Sequence, residues 1–333
     1  MIIVLSLSTA TDSITEVILD DIWGTAMDAL SKLTGIDMFG FPFMQRAYLA
    51  AVCIALIGPL VGSFLVHREM AMIGDTLAHS AFAGVAAGLF VNATFGTNVP
   101  PLFTALIVAA VAALLVQTLV DYAGAYHDTS LAIVLAGSFA VGSVLVTATD
   151  GGIAVGINSY LFGSLATVTR VNATILVVLS LIVTAGITVA YRPLLYITFD
   201  EVGARAAGIS VRRYNQLLAV LTAVVVVAAM QIMGVILVAA MLVIPVASAT
   251  SIRGFKRSIM GGVCLGLVST VAGVTISYQY DVAAGGTIVL VAIAVYIVGM
   301  IGPRARNSLV SEHTEGDSAT VTGVNAEGSD KGE

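Results

Sequence analysis

Residues 216–250 read QLLAVLTAVVVVAAMQIMGVILVAAMLVIPVASAT. A helix crossing a bilayer needs about 20 predominantly apolar residues. This apolar run is therefore too long for one crossing. Its natural break lies at Gln231–Gly234, which predicts two spans, 216–232 and 233–250. Pro245 predicts a kink or an end in the second, because proline supplies no backbone N–H.

The same signature recurs along the chain. Apolar runs fall at 47–66, 71–91, 101–120, 131–149, 171–190, 258–278 and 284–302. Segment 153–169, with Tyr160-Leu161-Phe162-Gly163-Ser164, stays open between a short helix, a re-entrant piece and the start of the next span. Composition agrees: 58% of the 333 residues are hydrophobic and only 10% charged, against about 25% charged in soluble domains. The expected fold class is all-α, a polytopic transmembrane helix bundle of eight or nine spans. Its three parts are an acidic N-terminal extension (1–43), a transmembrane permease domain (44–303) and an acidic tail (304–333). The tail lacks the apolar content that would offset the entropy of ordering and is expected to be disordered. Met1–Ala10 has no basic n-region and reads poorly as a signal peptide.

Basic residues in loops set orientation. Arg68, Arg192, Arg205, Arg212, Arg213, Arg253, Lys256, Arg257, Arg304, Arg306 and Lys331 all fall on one side if the spans alternate. Lys32, Arg46 and Arg170 fall on the other. The expected topology is a multi-pass cell-membrane protein with its N-terminus outside and C-terminus in the cytoplasm.

Several chemistries are disfavoured. Cys53 and Cys264 sit in apolar runs, where cysteine usually behaves as a small buried hydrophobe. There is no CxxC and no HExxH, and none of the three lysines follows a glycine as a nucleotide-binding P-loop requires. No nucleophile–base set stands out, so the chain is not expected to be an enzyme. Any ATP hydrolysis would belong to a separate subunit.

The stretch Met72-Ile73-Gly74-Asp75-Thr76-Leu77-Ala78-His79-Ser80-Ala81 carries the main chemical signal. On a helix, Asp75 and His79 share one face, about 6 Å apart along the axis. With a span beginning near residue 71, His79 lies about 12 Å deep. Ionisable groups inside a membrane usually face the bundle interior and mark a substrate path. Carboxylate plus imidazole suits zinc, manganese or iron(II). Spacing alone leaves two readings equally open, a metal pair and a structural contact in which Asp75 orients His79 or caps the helix. The small residues Ala78, Ser80, Ala81, Ala83, Gly84, Ala86, Ala87 and Gly88 allow close helix approach. A second signal is Thr198-Phe199-Asp200-Glu201-Val202-Gly203-Ala204-Arg205-Ala206-Ala207-Gly208-Ile209. Acids at a helix start, alanines within it and Gly208 at its stop predict a short surface helix. An ordinary interhelical loop is the plainer reading.

Taken in order, these stretches resemble the permease subunit of ABC importers for zinc, manganese or iron(II). The resemblance runs from about 41 to 302. It comprises Phe41–Ala47, His67-Arg68 with Met70–His79, Tyr160–Ser164, Asp200–Gly208 and Gln231–Ala247. Position 67 departs from it, being His where that family usually has Arg. The resemblance implies a homodimer with the pathway at its interface and cytoplasmic ATP-binding subunits docked on the loop of Asp200, Glu201, Ala204 and Gly208. It also implies an extracellular solute-binding protein that delivers the ion. It favours Asp75 and His79 as a transient metal site, with the metal as transported substrate and no permanently bound cofactor. The partners are thus protein subunits and lipid, with no nucleic acid. The alternatives are an ABC permease for a metal chelate such as siderophore, haem or cobalamin, and an ion-coupled secondary carrier.

Overall fold

The computed structural model describes residues 23–123, 127–148, 153–164 and 168–300. The expected disordered tail, and most of the acidic N-terminal extension, lie outside the described residues. Helices follow one another as α1 (Thr25–Thr34), α2 (Pro42–His67), α3 (Ile73–Phe95), α4 (Pro101–Ala123), α5 (His127–Thr147) and α6 (Ile153–Phe162). After them come α7 (Arg170–Phe199), α8 (Glu201–Ala206), α9 (Val211–Met233), α10 (Val235–Ala249) and α11 (Phe255–Tyr280). The last is α12 (Ala284–Met300).

Among the described residues, 7 helices are long and apolar enough to cross a membrane: α2, α3, α4, α5, α7, α9 and α11. This supports the helical membrane bundle; by length and composition the described residues give seven such helices rather than the expected eight or nine, with α10 and α12 as shorter apolar helices. At 1.5 Å per residue, the 15 residues of α10 reach about 22 Å, less than the ~30 Å hydrocarbon core. Segment 153–169 resolves partly into the 10-residue helix α6, again too short to span.

The split in the long apolar run falls at Gly234, as its residue type suggested. Gly234 has φ 76° and Gly163 φ 75°, conformations that side chains rarely adopt. Their backbones also touch: a Cβ on Gly234 would strike the Leu161 carbonyl, and one on Gly163 the Ile232 carbonyl. The end of α6 is thus fitted into the α9–α10 turn. Gly234→Ala is expected to cost roughly 3 kcal/mol from backbone strain plus overpacking. Gly137→Ala, where an added Cβ meets nothing within 4 Å, is the matched control. Thermal unfolding of the purified chain in detergent reads the difference, and equal melting temperatures would contradict this packing.

α2 is the central element. Met44, Tyr48, Ile54, Ile57, Phe64 and Leu65 are fully buried along it. The small residues of α3 serve packing: a Cβ on Gly84 would lie 2.6 Å from Ala105 Cα, and one on Gly88 would strike the Thr104 side chain. On the other flank of α3, the hydroxyls of Ser80 and Ser138 on α5 meet at 2.9 Å. Losing that bond through Ser80→Ala should cost only about 0.6 kcal/mol, the usual worth of such a bond between membrane helices. By contrast α4 exposes Phe103, Ile107, Val111, Leu114 and Leu115. Water would penalise so continuous an apolar face; lipid covers it without cost. Cys53 is buried but Cys264 is exposed, and both are free thiols, so only the first behaves as the expected buried hydrophobe.

The inter-helix turns gather at two ends. One end holds Arg68–Met70, Asp128, Thr198–Arg205 and Asn215 around a cleft of about 550 Å³. The other holds Phe43, Gly163, Ser164 and Tyr278–Ala284 around a cleft of about 690 Å³. α10 runs from the second end, at Gly234, to the first, where Ser258 donates to the Ala249 carbonyl at 3.0 Å.

Candidate functional site

α3 starts immediately after a tight turn. The backbone N–H of Met70 returns to the Leu65 carbonyl at 2.9 Å, and Glu69 takes φ 57°, an unusual conformation for a non-glycine. Asp75 falls in the first turn of α3, and the helix N-terminus has no side-chain cap. Asp75 is therefore not a capping residue.

One helical turn on, His79 Nε2 lies 3.7 Å from Asp75 Oδ1, beyond hydrogen-bond length. His79 Nδ1 is buried without a hydrogen-bond partner. The imidazole is held by packing, edge-on to Phe139 of α5 at 5.2 Å between centroids. Asp75 and His79 thus lie within ion-pair reach of each other but form no hydrogen bond in this geometry. Both side chains open onto the surface of the single chain: Asp75 is 41% and His79 21% exposed. Met72 and Phe139 are exposed alongside them. Among the described residues no group of three or more His, Cys, Asp or Glu is gathered. One chain therefore offers two donors, half or less of the four to six that a divalent transition metal takes.

The second predicted segment also forms a helix. Asp200 caps α8, its Oδ1 accepting from the Gly203 backbone N–H at 2.8 Å. Glu201 pairs with Arg205 one turn later at 2.6 Å. Ala204 is fully buried against Ile197 and Val211, with Ile209 and Tyr214 packed around them. Gly208 follows the C-terminus at φ 79°. Phe199 (64%) and Val202 (80%) point outward. The predicted residues thus divide: Asp75 and His79 lie together on α3, and Asp200, Glu201, Ala204 and Gly208 on α8.

Sequence reading missed what links these groups. His67, the last residue of α2, lies 5.1 Å from Phe255 of α11 and 6.3 Å from Phe199 of α7. Phe64 and Tyr191 complete the cluster around Phe255, at 5.2 Å and 6.5 Å. His67 Nδ1 is 2.8 Å from the Ser63 carbonyl, so it is the donor and the ring is fixed. Aromatic pairs contribute about 0.5–1.5 kcal/mol each beyond area burial. The next residue, Arg68, donates from Nη2 to Asn215 Oδ1 at 2.8 Å. Burial pulls the Arg68 guanidinium below its ordinary pKa, and the Glu201 carboxylate opposes that. Only the departure at position 67 and an arginine at a span end hinted at this arrangement.

Comparison with known proteins extends the picture. The sequence pattern of the ABC 3 transport family matches residues 40–302. Over 260 residues the chain is 34% identical to the manganese transport system membrane protein MntC of Halalkalibacterium halodurans, covering 77% of this chain and 86% of that protein. It is 29% identical over 268 residues to the manganese import system permease protein ScaB of Streptococcus gordonii, with coverage of 80% and 94%. Among solved structures, PsaBC from Streptococcus pneumoniae in complex with Fab superposes with a TM-score of 0.70 at 28% identity, covering 79% of this chain and 92% of that one.

Proposed function

Since the chain belongs to the ABC 3 transport family, we propose that it is the permease subunit of an ATP-driven importer of divalent transition metal ions, manganese foremost. The observation that carries this is the Asp75–His79 pair, an oxygen and a nitrogen donor 3.7 Å apart on an accessible face of a membrane helix. Relatives concerned with manganese transport support the choice of metal. Carboxylate and imidazole donors are compatible with it, though they would admit zinc and iron(II) too.

Two donors per chain imply a second copy. A two-fold axis beside the exposed Asp75, His79 and Phe139 face would bring two pairs together. Four donors could then replace part of the ion's hydration shell. A site of modest strength suits transit, since an ion bound too tightly does not leave. An extracellular solute-binding protein delivers the ion, and ATP-binding subunits dock at α8.

In this reading the cleft beside α8 faces the cytoplasm with most arginines, and the 690 Å³ cleft faces outside. α10 joins the two ends, and α12 starts at the outer one. Counted as crossings, they raise the spans to nine, with α6 as a short outer helix. The permease domain is then 44–303, between an acidic extension and an acidic cytoplasmic tail.

The test is uptake into vesicles holding the complete complex, its binding protein and ATP. Labelled Mn²⁺ should accumulate only with ATP, and unlabelled Zn²⁺ or Fe²⁺ should compete through the same pathway. Accumulation of a siderophore, haem or cobalamin with no uptake of free ions would overturn the ionic reading in favour of a chelate permease.

A further inference from the structure

The segment that carries α8 begins after Phe199 and leads into α9 near Asn215. Both its ends are held by two consecutive residues of one turn. His67 meets Phe255 edge-on at 5.1 Å, and Phe255 in turn packs against Phe199 at 5.7 Å. Arg68 hydrogen-bonds Asn215 at 2.8 Å. The same turn leads, within a few residues, into the first turn of α3 and Asp75. Two contacts of different chemistry, rings on one side and a charged hydrogen bond on the other, thus join α8 to the helix bearing the donor pair.

We propose that the His67–Arg68 turn is the joint that passes displacement of α8 to Asp75 and His79, with His67, Arg68, Phe255 and Asn215 as its positioning residues. The proposal rests on the importer reading above. Several features make the turn suited to this role. Glu69, at φ 57°, and the Met70–Leu65 backbone bond make it a defined turn rather than a slack loop. Packed interfaces move between discrete arrangements rather than deforming continuously, so a displacement at Phe199 or Asn215 is carried on and not absorbed. Lys256 lies 5.7 Å over the Tyr191 ring, adding a cation–π contact to the cluster. Neither contact touches the metal pair, so loss of the joint should alter coupling and leave the donors in place.

The experiment measures Mn²⁺ transported per ATP hydrolysed by the complete complex in vesicles. Asn215→Ala removes the partner of Arg68, and Phe255→Leu removes the central ring at similar volume. Each is expected to leave ATP hydrolysis within roughly twofold while the transport ratio falls roughly tenfold, a coupling change of ordinary size. Asn215→Asp, which keeps an acceptor for Arg68, and Phe255→Tyr, which keeps the ring, should restore the ratio. A purely structural role would lower hydrolysis, transport and complex yield together, and that outcome overturns the proposal. So does an unchanged ratio in Asn215→Ala, a variant too mild to unfold the chain. Failure of the unaltered complex to move Mn²⁺ would instead count against the importer reading.

Discussion

Asp75→Ala is expected to lower ATP-dependent Mn²⁺ uptake by roughly a hundredfold or more, at unchanged complex yield. Losing even an outer partner of a metal ligand costs about 10–100-fold in affinity or activity, and here a direct donor is lost from each copy. The fold should tolerate the change. Asp75 is 41% exposed, caps nothing and lies too far from His79 for a hydrogen bond. Surface changes of this kind usually stay within about 0.5 kcal/mol. Asp75→Asn keeps the shape and one oxygen donor but removes the charge, so its uptake should fall between that of the unaltered protein and that of Asp75→Ala. His79→Gln should show a loss comparable to Asp75→Ala. Labelled-metal uptake measures all three, and normal uptake in Asp75→Ala would refute the assignment of the donor.

The next largest effect is expected at α8. Removal of residues 200–208 should abolish copurification of the ATP-binding subunit and, with it, ATP-dependent uptake. A finer test is Val202→Asp. Val202 is 80% exposed, next to Phe199, which is 64% exposed despite its ring contacts with His67 and Phe255. Placing a charge at the centre of an interface typically costs 2 kcal/mol or more, about 30-fold in affinity. The Asp200 cap and the Ala204 anchor are untouched, so the helix should persist. Asp200→Ala should act more weakly, through about 1 kcal/mol of lost capping. Pull-down of the ATP-binding subunit against variant concentration reads both. Undiminished docking by the chain lacking 200–208 would refute this role of α8.

Local features were legible in the sequence, and contacts between distant segments were not. Apolar runs located each long helix, because length and composition alone decide a crossing. Their ends were less legible. The run 171–190 extends in the structure to Phe199, as the helix accommodates Pro193 near its end and continues past the apolar stretch. Gly234 announced the break between α9 and α10, but not that Gly163 would be pressed into it. The shared face of Asp75 and His79 follows from helical periodicity, as does the cap at Asp200 from residue type. The grip of His67 and Arg68 on Phe199, Phe255 and Asn215 has no local signature. Its members lie up to 188 residues apart (255 − 67), and only tertiary packing brings them together.

The most direct measurement is an anomalous difference map at the manganese edge from the assembled complex loaded with Mn²⁺. A peak between the α3 helices of two copies, within about 2.3 Å of donor atoms of Asp75 and His79, is the predicted result. Manganese bound elsewhere along the chain, or the two α3 helices held apart with His79 against lipid, would contradict it.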